Sequence, residues 1–178
     1  MDLKPNTLSL IALCREYCSL VENADRMDAR EFTGHAVKLL PRIYISATDL
    51  ERMVTAVEED EDTAGLDNYL EEDYYEALRL RLENIFGPDD VYLEVFEQEM
   101  RYSDTPVRAS LAEGLCDLFQ EFYNFTESVR GAVSEDYLAL TLNAMGDEFR
   151  GVWSQTLVNL MRPLNALANK TMDEDDYD

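Results

Sequence analysis

One histidine, His35, and one tryptophan, Trp153, stand among 178 residues, and cysteine occurs three times. So little histidine excludes the paired Glu-x-x-His motifs of a di-iron bundle and leaves any thiol nucleophile a single candidate base. Cys14, Cys18 and Cys116 form an odd set without paired C-x-x-C spacing, so neither a zinc site nor a disulfide framework is expected. Cys14 and Cys18 lie four apart, in step with Ile11 and Val21, and read as packing on a helix. Also missing are G-x-G-x-x-G, a P-loop, G-x-S-x-G, H-E-x-x-H and an EF-hand loop. The apolar run over 8–13 is short and broken by Ser9, and neither a secretory leader nor a membrane span is recognisable. The expectation is a cytoplasmic protein without a cofactor.

Basic residues are scarce too. Lys and Arg number 15 against 38 Asp and Glu, a formal net charge of −23, while the hydrophobic fraction of 46% is that of a folded chain. Binding to nucleic acid or to an anionic membrane rests on Lys and Arg, so neither is expected as a direct partner. The acid surplus is local: residues 1–57 hold 8 acids and 7 bases, residues 58–100 hold 16 and 2, and residues 101–178 hold 14 and 6. Much of it sits in residues 58–62 and 173–178, expected as part of a solvated acidic loop near 58–68 and as a disordered acidic tail. The alternative is that both blocks, with Asp67, Glu71, Glu72 and Asp73, attract a basic protein partner or imitate a phosphate backbone.

Helical periodicity is what the chain has in quantity. Leu10, Leu13, Tyr17 and Leu20 beside Ile11, Cys14, Cys18 and Val21 predict a helix over 7–24. Asp28 with Glu31 forms a capping box that opens a second helix carrying Phe32, Ala36, Leu39 and Ile43, which Pro41 should end or kink. Thr48 with Glu51 repeats the pattern and predicts a short third helix that fades into the acidic block. A fourth spans 71–86, stopped by Gly87-Pro88. Residues 88–104 are irregular, and 91–96 read as a connecting segment because a lone strand would have no partner.

Thr105-Pro106 then predicts a capped helix start. Beyond it Leu111, Leu115, Leu118, Phe122 and Phe125 line one side, with Glu113, Asp117, Gln120 and Asn124 opposite. Ser134 opens the last helical region, where Leu138, Leu142, Met145, Phe149 and Val152 are in phase. A one-residue slip at Gly151 puts Trp153, Leu157, Leu160 and Leu164 on a new phase, predicting a bend or a change of packing partner. Pro163 should kink or end this helix. The expected fold is all-α, a single domain over 1–172 built as a bundle of about six mostly antiparallel helices.

With one histidine, catalysis would rest on carboxylates and Mg²⁺ or Mn²⁺. Glu113 and Asp117 share a helical face that Gln120 and Asn124 extend, and Glu94 with Glu97 forms a Glu-x-x-Glu upstream. The arrangement resembles that of the all-α nucleotide pyrophosphohydrolases, in which Glu-x-x-Glu is followed by Glu-x-x-Asp. Here Cys116 stands at the required spacing from Glu113, and Asp117 comes one residue late. A second polar row, Gln155, Asn159 and Arg162, lies across the helix from Trp153, Leu157 and Leu160, and Arg162 is expected to pair with Asp117 or Glu113. Trp153, with Tyr74, Tyr75, Tyr92 and Tyr102, reads as core or rim, with a pocket lining as the alternative. The candidate site residues are Glu113, Asp117, Gln120, Trp153, Gln155, Asn159 and Arg162.

Two stretches carry a resemblance. The first comprises Tyr92-Leu93-Glu94-Val95-Phe96, Met100, Tyr102-Ser103-Asp104, Pro106 and Ala109-Ser110-Leu111-Ala112-Glu113 through Asp117; the second comprises Trp153, Gln155, Leu157-Val158-Asn159 and Leu164. Together they resemble a bacterial family, the domain of unknown function numbered five thousand and sixty-three. The resemblance implies a compact helical protein over most of the chain, with no established activity, substrate or catalytic residue. It points to Glu113, Asp117, Gln155 and Asn159 as shared polar positions, and Pro163 departs from it where a helix former is expected.

The leading reading is a non-enzymatic cytoplasmic helical module that acts through a protein partner, a basic one if charge guides it, with a homodimer left open. The alternatives are a Mg²⁺- or Mn²⁺-dependent hydrolase of nucleotide-like substrates built on Glu113 and Asp117, and an acidic mimic of nucleic acid.

Overall fold

The structure, a computed structural model, describes residues 3–56, 66–94 and 107–170. Among them are six α-helices: α1 (Pro5–Glu22), α2 (Ala29–Thr48), α3 (Glu72–Phe86), α4 (Leu111–Gly131), α5 (Glu135–Glu148) and α6 (Ser154–Ala168). Strands β1 (Val91–Glu94) and β2 (Val107–Ser110) pair antiparallel, with Val91 opposite Ser110 and Glu94 opposite Val107. The fold is mostly all-α, as the periodicity implies, with this two-stranded sheet added.

Four helices form a square in which α1 packs on α2 and α4, and α6 packs on the same two. Asn6, at the start of α1, donates to the Ser46 carbonyl near the end of α2 (2.9 Å), so those helices run antiparallel. Tyr44 of α2 meets Phe149 just before α6, and α6 then runs back along α2. Gly114 of α4 faces Leu160 of α6 while Phe122 faces Trp153, so this pair is antiparallel as well. A Cβ on Gly114 would come within 2.9 Å of Leu160 Cδ2, and the missing side chain is what lets α4 and α6 approach so closely. Helix α3 covers α4 and touches α1, and α5 packs on α4.

A chain of five rings crosses the square. Tyr17 (α1) contacts Phe122 (α4) at 5.1 Å, Phe122 contacts Trp153 at 5.0 Å, Trp153 contacts Phe149 at 4.7 Å, and Phe149 contacts Tyr44 (α2) at 5.3 Å, all edge to face. Such pairs add about 0.5–1.5 kcal/mol each beyond the area they bury. The Tyr17 hydroxyl donates to the Leu115 carbonyl (2.8 Å), which satisfies its one polar group inside the core. Cys14, Cys18 and Cys116 are buried and free, as their helical spacing implies.

The helix ends follow local chemistry. Asp28 Oδ1 accepts from the Glu31 N–H (2.8 Å), and Ser134 Oγ accepts from the Tyr137 N–H (3.1 Å). Gly87, at φ +50°, closes α3 in a conformation that side chains disfavour. Between α5 and α6 a π-helical turn, Phe149–Trp153, keeps the rod continuous, with the Ser154 N–H reaching the Phe149 carbonyl. One extra residue in a π turn is what the phase slip at Gly151 records.

Several sequence expectations are corrected. Of the two outcomes expected at Pro41 and Pro163, an end or a kink, the end does not occur: α2 continues to Thr48 and α6 to Ala168. Thr48 and Glu51 start no third helix. Thr48 is the last residue of α2, and 51–56 runs along α5 with its backbone held by side chains: Asn143 Oδ1 accepts from the Met53 N–H (2.7 Å) and Asp136 Oδ1 from the Ala56 N–H (3.1 Å). Those N–H groups are the donors a helix would have paired internally. Residues 91–94 are a strand rather than a connecting segment, because 107–110 supplies the partner.

The long helix α4 starts at Leu111 and not at Pro106, since 107–110 is taken by the sheet. Its first turn is capped from two sides, by Ser110 Oγ on the Glu113 N–H (3.1 Å) and by the buried Asp90 Oδ1 on the Ala112 N–H (2.8 Å). Asn124 is buried, not part of a solvated row, and its Oδ1 accepts from the N–H groups of Tyr69 (2.9 Å) and Leu70 (3.1 Å). The expected acidic tail lies outside the described residues, as does the expected acidic loop except for 66–68.

Candidate functional site

The close approach of α4 and α6 at Gly114 and the cover of the two-stranded sheet leave two adjoining clefts on one side of the square. The smaller, of about 280 Å³, lies among Tyr92, Glu94, Arg108, Ser110, Glu113, Asp117, Thr156 and Asn159. The larger, of about 520 Å³, lies between β1 and α6, among Tyr92, Leu93, Glu94, Gln155, Val158, Asn159, Arg162 and Pro163. Tyr92, Glu94 and Asn159 belong to both, so the two form one groove along the seam of β1 and α6.

Five of the seven candidate residues meet there. Glu113 and Asp117, one turn apart on α4, line the smaller cleft; Gln155 and Arg162 line the larger; Asn159 lines both. Gln120 is exposed on α4 but lines neither cleft. Trp153 is 1% exposed and belongs to the ring chain, and its indole N–H finds no acceptor among the described residues.

The expected ion pair between Arg162 and Asp117 or Glu113 does not form. Asp117 is engaged from the other side, where Tyr75 of α3 donates to its Oδ1 at 2.7 Å. Burial, and then the carboxylate acceptor, push the Tyr75 hydroxyl well above its ordinary pKa, so it stays protonated and keeps donating to Asp117. Arg162 sits toward the Leu93 and Pro163 end of the groove. Neither Arg162 nor Arg108 makes a hydrogen bond or ion pair among the described residues. Gln155 Nε2 donates to Asn159 Oδ1 at 2.6 Å, fixing the row on α6. Glu94 is only 4% exposed, and the Tyr92 hydroxyl donates to it at 3.2 Å.

Beyond the groove, one turn along α4 from Asp117, the Glu121 carboxyl is pushed up to about 7, first by burial and then by the negative charges of Glu148 and Asp117. Among the described residues no three His, Cys, Asp or Glu side chains converge to hold a metal ion, and Glu97 lies outside those residues. Burial raises the thiols of Cys14 and Cys18 and pushes Cys116 up to about 12, which leaves each of them protonated and unreactive near neutral pH. The groove thus places carboxylates and the Arg108 side chain at one end, and exposed apolar surface with Arg162 at the other.

Sequence reasoning had not placed Leu93, Arg108 and Val158 in this groove. Leu93 and Val158 are 51% and 49% exposed. Their signal was present but weak: Val158 continues the outward row of Gln155 and Arg162 at helical spacing, and the exposure of Leu93 follows from the alternation of a strand that had been read as a connector. No helix among the described residues is long and apolar enough to cross a membrane.

The family described as "Domain of unknown function (DUF5063)" matches residues 1–170, and the chain belongs to it. The crystal structure of protein BF1032 from Bacteroides fragilis has a similar fold, with a TM-score of 0.76 over 94% of this chain and 95% of that one, at 24% identity. No curated protein matches the chain.

Proposed function

We propose that this member of the DUF5063 family is a non-enzymatic cytoplasmic interaction module, and that the groove between β1 and α6 receives a segment of a basic protein partner. The observation that carries the reading is the placement of Leu93 and Val158, both about half exposed, beside Glu113 and Asp117 on one continuous groove. Exposed apolar surface rimmed by charge is how soluble proteins mark contact sites. A partner segment with an apolar side chain between Leu93 and Val158, and a Lys or Arg turned toward Glu113 and Asp117, would complement both ends. The net charge of −23 would speed its arrival, because a long-range field raises the rate of encounter with a basic partner.

Selection from a random peptide library on the immobilised full chain tests this. Enriched peptides are expected to combine an apolar residue with a nearby Lys or Arg, to lose about tenfold or more in affinity on Leu93→Asp or Asp117→Lys, and to weaken as salt rises. No enrichment, or enriched peptides that bind both variants as well as the parent, would overturn the reading.

A further inference from the structure

On the opposite side of the four-helix square, α1 and α2 enclose a second cleft, of about 420 Å³. His35, Lys38 and Arg42 line it from α2 at intervals of three and four, so all three rise from one face. Ser19 comes from α1, and Leu20 and Leu39 supply an apolar floor. Glu16 is the one acidic residue in the lining.

None of His35, Lys38 and Arg42 makes a hydrogen bond or ion pair among the described residues. Several cations elsewhere are engaged, Lys4 with Glu51, Arg52 with Asp147, Arg79 with Glu76 and Glu83, Arg130 with Glu127, and Arg150 with Asp147, while others, Arg108 and Arg162 among them, are not; what sets these three apart is that they share one concave lining. In a chain with 38 acids and 15 bases, a carboxylate is the easiest partner to supply. Three basic side chains gathered on one concave surface without one make a local positive field, and such a field draws an anion.

We propose that this cleft binds a soluble phosphate monoester with an apolar body. Lys38 and Arg42 bring two permanent charges and His35 a donor, which suits a group of charge −1.5 to −2 better than a single carboxylate. A guanidinium fork beside an ammonium, with the Ser19 hydroxyl opposite, matches the several oxygens of a phosphoryl group. The volume falls in the range of about 300–1,000 Å³ usual for small organic ligands, and the Leu20 and Leu39 floor accepts the part that is not charged. A bilayer-borne phosphate is disfavoured because residues 58–178 carry 30 acids and 8 bases, which an anionic surface repels. The inference is independent of the groove reading, since the two sites lie on opposite sides of the square.

Titration of the full chain with phenyl phosphate, followed by amide chemical shifts and calorimetry, tests the proposal, with phenol, benzoate and vesicles containing phosphatidic acid as parallel arms. Phenyl phosphate is expected to shift amides within 16–42 and leave those of 155–163 in place, and to bind about tenfold or more tightly than phenol or benzoate. Its affinity should fall with salt and drop about tenfold or more in the double variant Lys38→Glu, Arg42→Glu. The milder Lys38→Gln and Arg42→Gln, each expected to weaken binding severalfold, keep the test decisive if the double reversal disturbs the fold. Shifts confined to other residues, phenol binding equal to phenyl phosphate, affinity unchanged in the variants, or binding to vesicles alone would overturn it.

Discussion

The inner square of α1, α2, α4 and α6 and the segments laid around it are held by different forces. Inside, five rings pass from Tyr17 through Phe122, Trp153 and Phe149 to Tyr44 and tie α1, α4 and α2 to the π turn that leads into α6. Outside, residues 51–56 and 66–70 are fixed by a few side chains, Asn143 on Met53 and Asp136 on Ala56 for the first, Asn124 on Tyr69 and Leu70 for the second. Packing is spread over many atoms and fails only when the whole square opens. A side chain that pins a backbone segment concentrates the holding force in one or two bonds, so its segment can be released while the square stays folded. The groove and the basic cleft are both framed by helices of the square, which suits surfaces that must keep their shape.

Four sets of changes would break or sharpen this contrast. The largest is Trp153→Ala, expected to cost about 3–5 kcal/mol because it removes the middle ring and leaves a cavity between α4 and α6. Denaturant unfolding should show a lower midpoint with an unchanged slope, and a cost below about 1 kcal/mol would mean that the ring chain is not what unites the square. Next come Asn143→Ala and Asn124→Ala, at about 1–3 kcal/mol each, since each leaves partly or wholly buried backbone groups without their side-chain partner. Hydrogen exchange should speed at the Met53 and Leu70 amides respectively, with α1 and α4 still protected; uniform loss of protection would merge shell and square into one cooperative unit.

The third change probes the charge on α4. The folded-state pKa of Glu121, at about 7, lies above its unfolded value of about 4.3, so the folded form holds the proton more tightly. The stability this supplies is full below pH 4.3 and lost as pH rises through 7. Reduced for the part of Glu121 that water still reaches, it amounts to about 1–2 kcal/mol. Thermal melts should show the parent losing stability between about pH 5 and 8 and Glu121→Gln losing less. A parallel fall in both would assign the effect to the general acid surplus. The smallest change is Arg52→Ala, which breaks an exposed ion pair to Asp147 at 3.0 Å and should cost less than about 1 kcal/mol, shrinking further in high salt.

Features written in local chemistry were legible without coordinates. The caps at Asp28 and Ser134 and the stop at Gly87 stand where their side chains, or the absence of one, imply. The one-residue slip before Trp153 reported the π turn as a change of phase. What was not legible depended on partners distant along the chain. Thr48 and Glu51 have the spacing of a cap, but Asn143 and Asp136 claim the backbone that would have followed it. Residues 91–94 needed 107–110 to become a strand. The polar rows of α4 and α6 were visible as rows, and their meeting in one groove was not, because it depends on the approach allowed by Gly114 and on the sheet that covers them. Arg162 was matched to Asp117 or Glu113 across the helices because bases are few in this half of the chain, whereas Asp117 is held by Tyr75 of α3.

The π turn at Phe149–Trp153 sets the angular position of everything after it. One residue of an α-helix corresponds to about 100° of rotation. Deleting Gly151 and letting the turn relax to regular α-helix would therefore swing Gln155, Asn159 and Arg162 by more than a quarter of a circle, away from β1, and carry Leu157 and Leu160 out of the interior. The extra residue works as a key between two shafts: α5 and α6 are one rod in length but two in orientation, and the groove exists only at the angle that this key sets.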